Sequence, residues 1–139
     1  MSDFKPLTGG CLCGAVRYTL TAAVRRVVNC HCTRCRRISG AAFQTVFLVH
    51  TGNFHLDRGA DQLTSYGVSP QTQKNFCCIC GSAIYNKLER LPKHVLLPIG
   101  SLDDPNAVAP EINIHCENML PWVLDIMALM NFPRSAEEG

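Results

Sequence analysis

Seven of the nine cysteines in this 139-residue chain fall into three clusters, Cys11-x-Cys13, Cys30-x-Cys32-x-x-Cys35 and Cys77-x-x-Cys80. Thiols at such short spacings point to metal ligation. Zinc takes four thiolate or imidazole ligands in a closed structural site, and three protein ligands where a position is kept open for water or substrate. A grouping of two, two and three therefore predicts one closed site and one open site, with the chemistry expected at the open one. Spacing alone does not say which clusters combine.

A disulfide framework fits these cysteines poorly. Cys11 with Cys13, and Cys30 with Cys32, are badly spaced to bridge each other, and an odd total leaves one thiol unpaired. Residues Met1 to Gly10 include Asp3, Lys5 and Pro6 and contain no apolar stretch of signal-peptide length, so secretion is not expected. The expected location is a reducing one, most simply the cytoplasm. Cys78 and Cys116 stand apart from this scheme and, as lone apolar-flanked cysteines, are expected to pack in the interior.

The elements that must position these thiols are mostly strands. Val16, Tyr18, Leu20 and Ala22 alternate with Arg17, Thr19 and Thr21, the two-residue period of a half-buried strand. Thr45 to Val49 and His94 to Leu97 are short β-branched or apolar runs bounded by Gly52, and by Pro92 and Pro98. Ser82 to Lys87 and Glu111 to His115 continue in the same manner, so a mainly β, largely antiparallel fold is expected. Trp122 to Met130 is densely apolar and fits a buried strand or a short helix. Met1 to Thr8 and Arg134 to Gly139 have the character of solvated tails. Glycines bracket the outer clusters at Gly9, Gly10, Gly14 and Gly81, where a turn that aims amides at sulfur benefits from access to positive φ.

Composition bounds the function classes. The length suits one domain, residues 1–139, with no linker, repeat or low-complexity stretch. No segment approaches the apolar length of a membrane span. Thirteen basic against eleven acidic residues give a net charge of +2, too small to argue for nucleic acid or an anionic membrane. No platform of aromatics stands out for stacking bases, so nucleic acid is not an expected partner.

Three runs carry a resemblance: Gly9-Gly10-Cys11-Leu12-Cys13-Gly14-Ala15-Val16, Cys30-His31-Cys32-Thr33-Arg34-Cys35-Arg36 with Ser39-Gly40, and Phe76-Cys77-Cys78-Ile79-Cys80-Gly81-Ser82. In that order they resemble the family of glutathione-dependent formaldehyde-activating enzymes, which also includes centromere protein V. The match runs from about Gly9 to Pro133 when the Pro121-Trp122 pair is included. The resemblance implies a β-tent fold of antiparallel sheets joined at a structural zinc held by Cys11, Cys13, Cys77 and Cys80. It implies a second, catalytic zinc held by Cys30, Cys32 and Cys35. The implied reaction is that of a carbon–sulfur lyase, in which the sulfur of glutathione, or of a related small thiol, joins formaldehyde as S-hydroxymethylglutathione.

Glutathione is anionic, and Arg34, Arg36 and Arg37 are the candidate partners for its carboxylates, because a guanidinium pairs such groups bidentately. In an extended segment His31 would point away from its neighbours Cys30 and Cys32, which favours a supporting role over ligation. His115 and Cys116 are weaker candidates as extra ligands. Paired cysteine knuckles beside arginines also describe a non-catalytic, zinc-ribbon-like module that binds protein or nucleic acid, and this is the alternative reading.

Overall fold

The computed structural model describes residues 4–136. Ten strands form two sheets among these residues: β1 (Leu7–Gly10), β2 (Arg17–Leu20), β3 (Arg25–Cys30), β4 (Gln44–His50), β5 (Phe54–Arg58), β6 (Leu63–Ser69), β7 (Thr72–Cys77), β8 (Ala83–Leu88), β9 (His94–Pro98) and β10 (Ile112–Ile114). One α-helix, α1 (Thr33–Ser39), follows β3. The smaller sheet has the order β1-β2-β5 and the larger β10-β3-β4-β9-β8-β7-β6. Every named strand pairing is antiparallel except that of β10 with β3, which is parallel.

The expected alternation in β2 and the residue before it is realised: Val16, Tyr18 and Leu20 are fully buried, while Arg17 and Thr19 are only partly so. Strand β4 is different, because Val46, Phe47, Leu48 and Val49 are all buried. It lies inside the large sheet between β3 and β9, covered on both faces, which is why its sequence is a continuous apolar run. Phe47 and Val49 share one core with Val16, Tyr18, Leu20, Ile84 and Leu97, so burial couples the two sheets.

Polar contacts lock the sheets at one edge. The Tyr18 hydroxyl lies 2.6 Å from that of Ser101, and Arg17 and Thr8 both bond to Asp103. Gly9 bridges Leu102, and a Cβ there would sit 2.4 Å from both the Ser101 carbonyl oxygen and Tyr18 Oη. Only glycine admits that approach.

Three expectations are corrected. Leu7 and Thr8 belong to β1 and not to a tail; residues 1–3 and 137–139 of the expected tails lie outside the described residues. Strands β3, β5, β6 and β7 are, like β1, additional to the expected set. Trp122 to Met130 is not buried: Pro121–Ala128 forms 3-10 turns broken at Asp125, and Leu124, Met127 and Met130 are about 80% exposed. Its apolar residues recur without a period that would lay one face on either sheet.

Candidate metal centres

Two short turns build the first thiol cluster. Cys11 leaves β1 and the chain returns at once into β2, with Cys11 N–H donating to the Val16 carbonyl at 3.1 Å. Cys77 ends β7 and its N–H donates to the Ser82 carbonyl at 2.9 Å before β8 begins. Each turn closes on a glycine: Gly14 N–H reaches the Cys11 carbonyl at 3.2 Å, and Gly81 N–H the Cys77 carbonyl at 2.8 Å. These glycines have φ of 82° and 79°, and a Cβ on either would meet no atom within 4 Å. The left-handed backbone, not crowding, is what requires glycine there. Amides then point at sulfur, Val16 N–H at Cys11 Sγ (3.2 Å) and Ile79 N–H at Cys77 Sγ (3.4 Å). Leu12 N–H donates to Ser82 Oγ at 3.1 Å and ties one turn to the other.

The turns bring Cys11, Cys13, Cys77 and Cys80 together, with all four sulfurs within 4.8 Å of one another. Sulfur–sulfur distances of 3.6 Å (Cys11–Cys13) and 3.8 Å (Cys13–Cys77) compare with about 3.8 Å along the edge of a tetrahedron of thiolates at the usual zinc–sulfur distance of about 2.3 Å. The donor set therefore fits a zinc ion. Cys80 is pulled down to a pKa of about 5, first by the Ser82 hydroxyl and then by the amides of Cys13 and Ser82, whereas at Cys13 the Ala15 backbone bond is outweighed by desolvation and the neighbouring thiols, which push it up to about 12. The group joins the β1–β2 turn of the small sheet to the β7–β8 turn of the large one.

The second cluster is built at the junction of β3 and α1. Cys30 is the last residue of β3 and is buried. Cys32 is the helix N-cap, with φ −68° and ψ 155°, and its sulfur accepts the Cys35 N–H at 3.2 Å. A thiol here performs the capping that serine or aspartate usually provides. The same turn carries Cys35 to within 3.2 Å of Cys30 Sγ. Cys30, Cys32 and Cys35 form a three-sulfur group, and no fourth Cys, His, Asp or Glu among the described residues joins it. Burial opposes ionisation of all three thiols. At Cys32 the Cys35 amide, the neighbouring thiols and the Arg34 amide outweigh it and lower the pKa. At Cys35 burial and the two adjacent thiols together raise it well above the ordinary thiol range.

His31 lies between these ligand candidates and outside the sulfur group. It is 1% exposed, stacks on Phe43 with ring centroids 4.9 Å apart, and places Nε2 3.0 Å from Asn113 Oδ1 on β10. The parallel strand thus braces the cluster from behind. Arg36 braces it from the side, its Nη1 donating to the carbonyls of His31 and Asn118. Arg34 and Arg37 are exposed. Because Arg36 joins α1 to the chain after β10, Arg36→Ala should lower folding stability by about 1–3 kcal/mol, the scale of hydrogen bonds from a charged donor. Chemical denaturation measures this, and an unchanged midpoint would contradict it.

Cys78 and Cys116 depart from the expectation that they pack inside: both are exposed. Cys78 sits at the outer tip of its turn beside the exposed Ile79, with its sulfur 3.5 Å from Gln62 Oε1. Cys116 follows His115, which has a left-handed φ of 56°, and neither residue enters a candidate metal group.

Comparison with known proteins identifies the family and the fold. The family model described as "Glutathione-dependent formaldehyde-activating enzyme" matches residues 6–118. A Halomonas elongata protein named "Putative glutathione-dependent formaldehyde-activating enzyme" is 28% identical over 125 residues, covering 84% of this chain and 79% of its own length. A Podospora anserina protein of the same name is 30% identical over 82 residues, 58% of this chain, and these span only 38% of that longer relative. A crystal structure of a Rhodobacter sphaeroides protein shares the fold, with a TM-score of 0.61 at 22% identity over 76% of this chain and 98% of its own. The ordered thiol clusters, their meeting in space and the family match over most of the chain lead to one conclusion: this protein belongs to the glutathione-dependent formaldehyde-activating enzyme family.

Proposed function

We propose that the chain is a single zinc-binding domain and a carbon–sulfur lyase acting on the adduct of formaldehyde with glutathione or a closely related thiol. Its substrate would engage Cys30, Cys32 and Cys35, and a structural zinc would be held by Cys11, Cys13, Cys77 and Cys80. The observation that carries the reading is the unequal sulfur count, four in the group that ties the sheets and three in the group beside α1. A zinc ion with an open position can lower the pKa of a bound thiol or polarise a carbonyl.

The protein's own contribution is to hold the three sulfurs rigid. The N-cap bond fixes Cys32 and Cys35 in one helical turn, the β3 ladder fixes Cys30, and the His31–Asn113 contact and the Arg36 bonds keep strand and helix from separating. In the synthetic direction a sulfur–carbon bond forms between the thiol and formaldehyde, and the thiol proton ends on the former carbonyl oxygen. The reverse direction breaks that bond and returns the proton to sulfur.

Glutathione should therefore bind the zinc-loaded protein at least about tenfold more tightly than S-methylglutathione, which keeps both carboxylates and loses the ionisable thiol. Its affinity should fall as pH is lowered, because a metal-bound sulfur must be deprotonated. Calorimetric titration reads both effects, and NMR should detect S-hydroxymethylglutathione forming faster than in a protein-free control. Equal affinity for glutathione and its S-methyl form, or no acceleration, would contradict the reading.

A further inference from the structure

A cleft of about 800 Å³ opens between the two thiol clusters. One wall is the first cysteine turn with Ser82, and the other is the end of α1 at Ile38 and Ser39. The three sulfurs beside α1 do not line it, but their immediate partners do. Gln44 is the cross-strand partner of Cys30, Ser39 Oγ donates to the Cys35 carbonyl at 2.6 Å, and Phe43 is the ring stacked on His31. Cross-strand partners lie about 5 Å apart at Cα, and a tripeptide spans about 10 Å. A thiol ligand with its sulfur at the three-cysteine group can therefore lay its remaining length in this cleft.

The charge in the lining is selective. Of the charged residues that line the cleft, Arg17 and Asp103 satisfy each other in a two-point ion pair, to which the Thr8 hydroxyl adds a bond at 2.6 Å. The third is Lys74 on β7. It is half-buried, and among the described residues no carboxylate lies within ion-pair distance of it. Its ammonium is held 5.5 Å from the centre of the Phe76 ring and 3.4 Å from the Ile38 carbonyl at the end of α1. An ammonium restrained in this way and left without a counter-ion is a prepared site for an anion.

We propose that Lys74 is the specificity-determining residue of this cleft and binds a carboxylate carried by the small-thiol substrate at the end remote from its sulfur. The proposal rests on the reading of the three-cysteine group as the site of thiol binding. It places the recognising charge on β7 of the large sheet, apart from the arginines of α1.

The test titrates zinc-loaded full-length protein with glutathione and with glutathione diethyl ester, which keeps the thiol and masks both carboxylates. The parent should prefer glutathione, and Lys74→Met should reduce that preference ratio by about tenfold or more, the scale of one charge-assisted hydrogen bond. Lys74→Arg should restore most of it, and zinc content and circular dichroism should match the parent in both variants. A merely structural role for Lys74 would weaken the two ligands together and leave the ratio unchanged, which would overturn the proposal. A parent that binds both thiols without preference would also overturn it while leaving the small-thiol reading intact. Binding of neither ligand to the parent would overturn both.

Discussion

Cys13→Ser should cost the chain its fold. Cys13 is exposed, and surface substitutions that remove neither packing nor a special backbone role usually change stability by no more than about 0.5 kcal/mol. A large loss therefore cannot come from a cavity. It would come from the metal site: structural zinc in small peptides contributes on the order of 10 kcal/mol, against a typical domain stability of about 5–15 kcal/mol. The Cys13 and Cys77 sulfurs are 3.8 Å apart across 64 residues of sequence, so the site closes most of the first half of the chain onto the β7–β8 turn. Losing it frees that loop and unpins the small sheet from the large one. Circular dichroism and a thermal scan should show no cooperative transition for Cys13→Ser, and a transition like the parent's would mean the four thiols do not hold a structural metal.

Cys32→Ser should have the opposite profile, with the fold kept and the chemistry lost. Serine is a strong N-cap residue, so its hydroxyl can accept the Cys35 N–H that the Cys32 sulfur now accepts, and α1 keeps its start. Two sulfurs remain where three stood, too few to retain zinc firmly. Formation of S-hydroxymethylglutathione should fall to the protein-free rate, while the thermal midpoint should stay close to that of the parent. An active Cys32→Ser protein would remove the three-cysteine group from the reaction.

The contrast between these variants follows from features that differ in how openly the sequence declares them. The knuckles are local: two cysteines and a glycine within five residues dictate a turn, and the structure shows each turn closing on the glycine amide as that chemistry requires. The β2 alternation and the apolar run of β4 are equally direct, since burial on one face or on two leaves a period that can be seen. Strand β7 leaves none. Thr72-Gln73-Lys74-Asn75 is polar, only Asn75 and Cys77 of the strand are buried, and it is a strand because β6 and β8 pair with both its edges.

Other features depend on residues far apart in sequence. The bracing of His31 by Asn113 needs β10 to arrive parallel to β3 from 82 positions away, which no local pattern announces. The cleft likewise assembles Arg17, Ile38, Lys74 and Asp103 from separate stretches, so Lys74 carries no signal until the fold places it. The start of α1, by contrast, carries a local sign. A thiol three residues before another at a helix start has the spacing of a capping residue to its amide, and this marks Cys32 as the N-cap. The apolar density of Trp122 to Met130 misled in the other direction, because composition without period does not specify burial.

The most direct measurement is the metal content of parent and Cys32→Ser proteins purified without chelator, determined by elemental analysis against protein concentration. Two zinc ions per parent chain are expected, falling to one in Cys32→Ser with the fold intact. One zinc in the parent, the same count in both proteins, or iron with a visible cluster absorption would contradict the assignment of a closed structural site and an open reactive one.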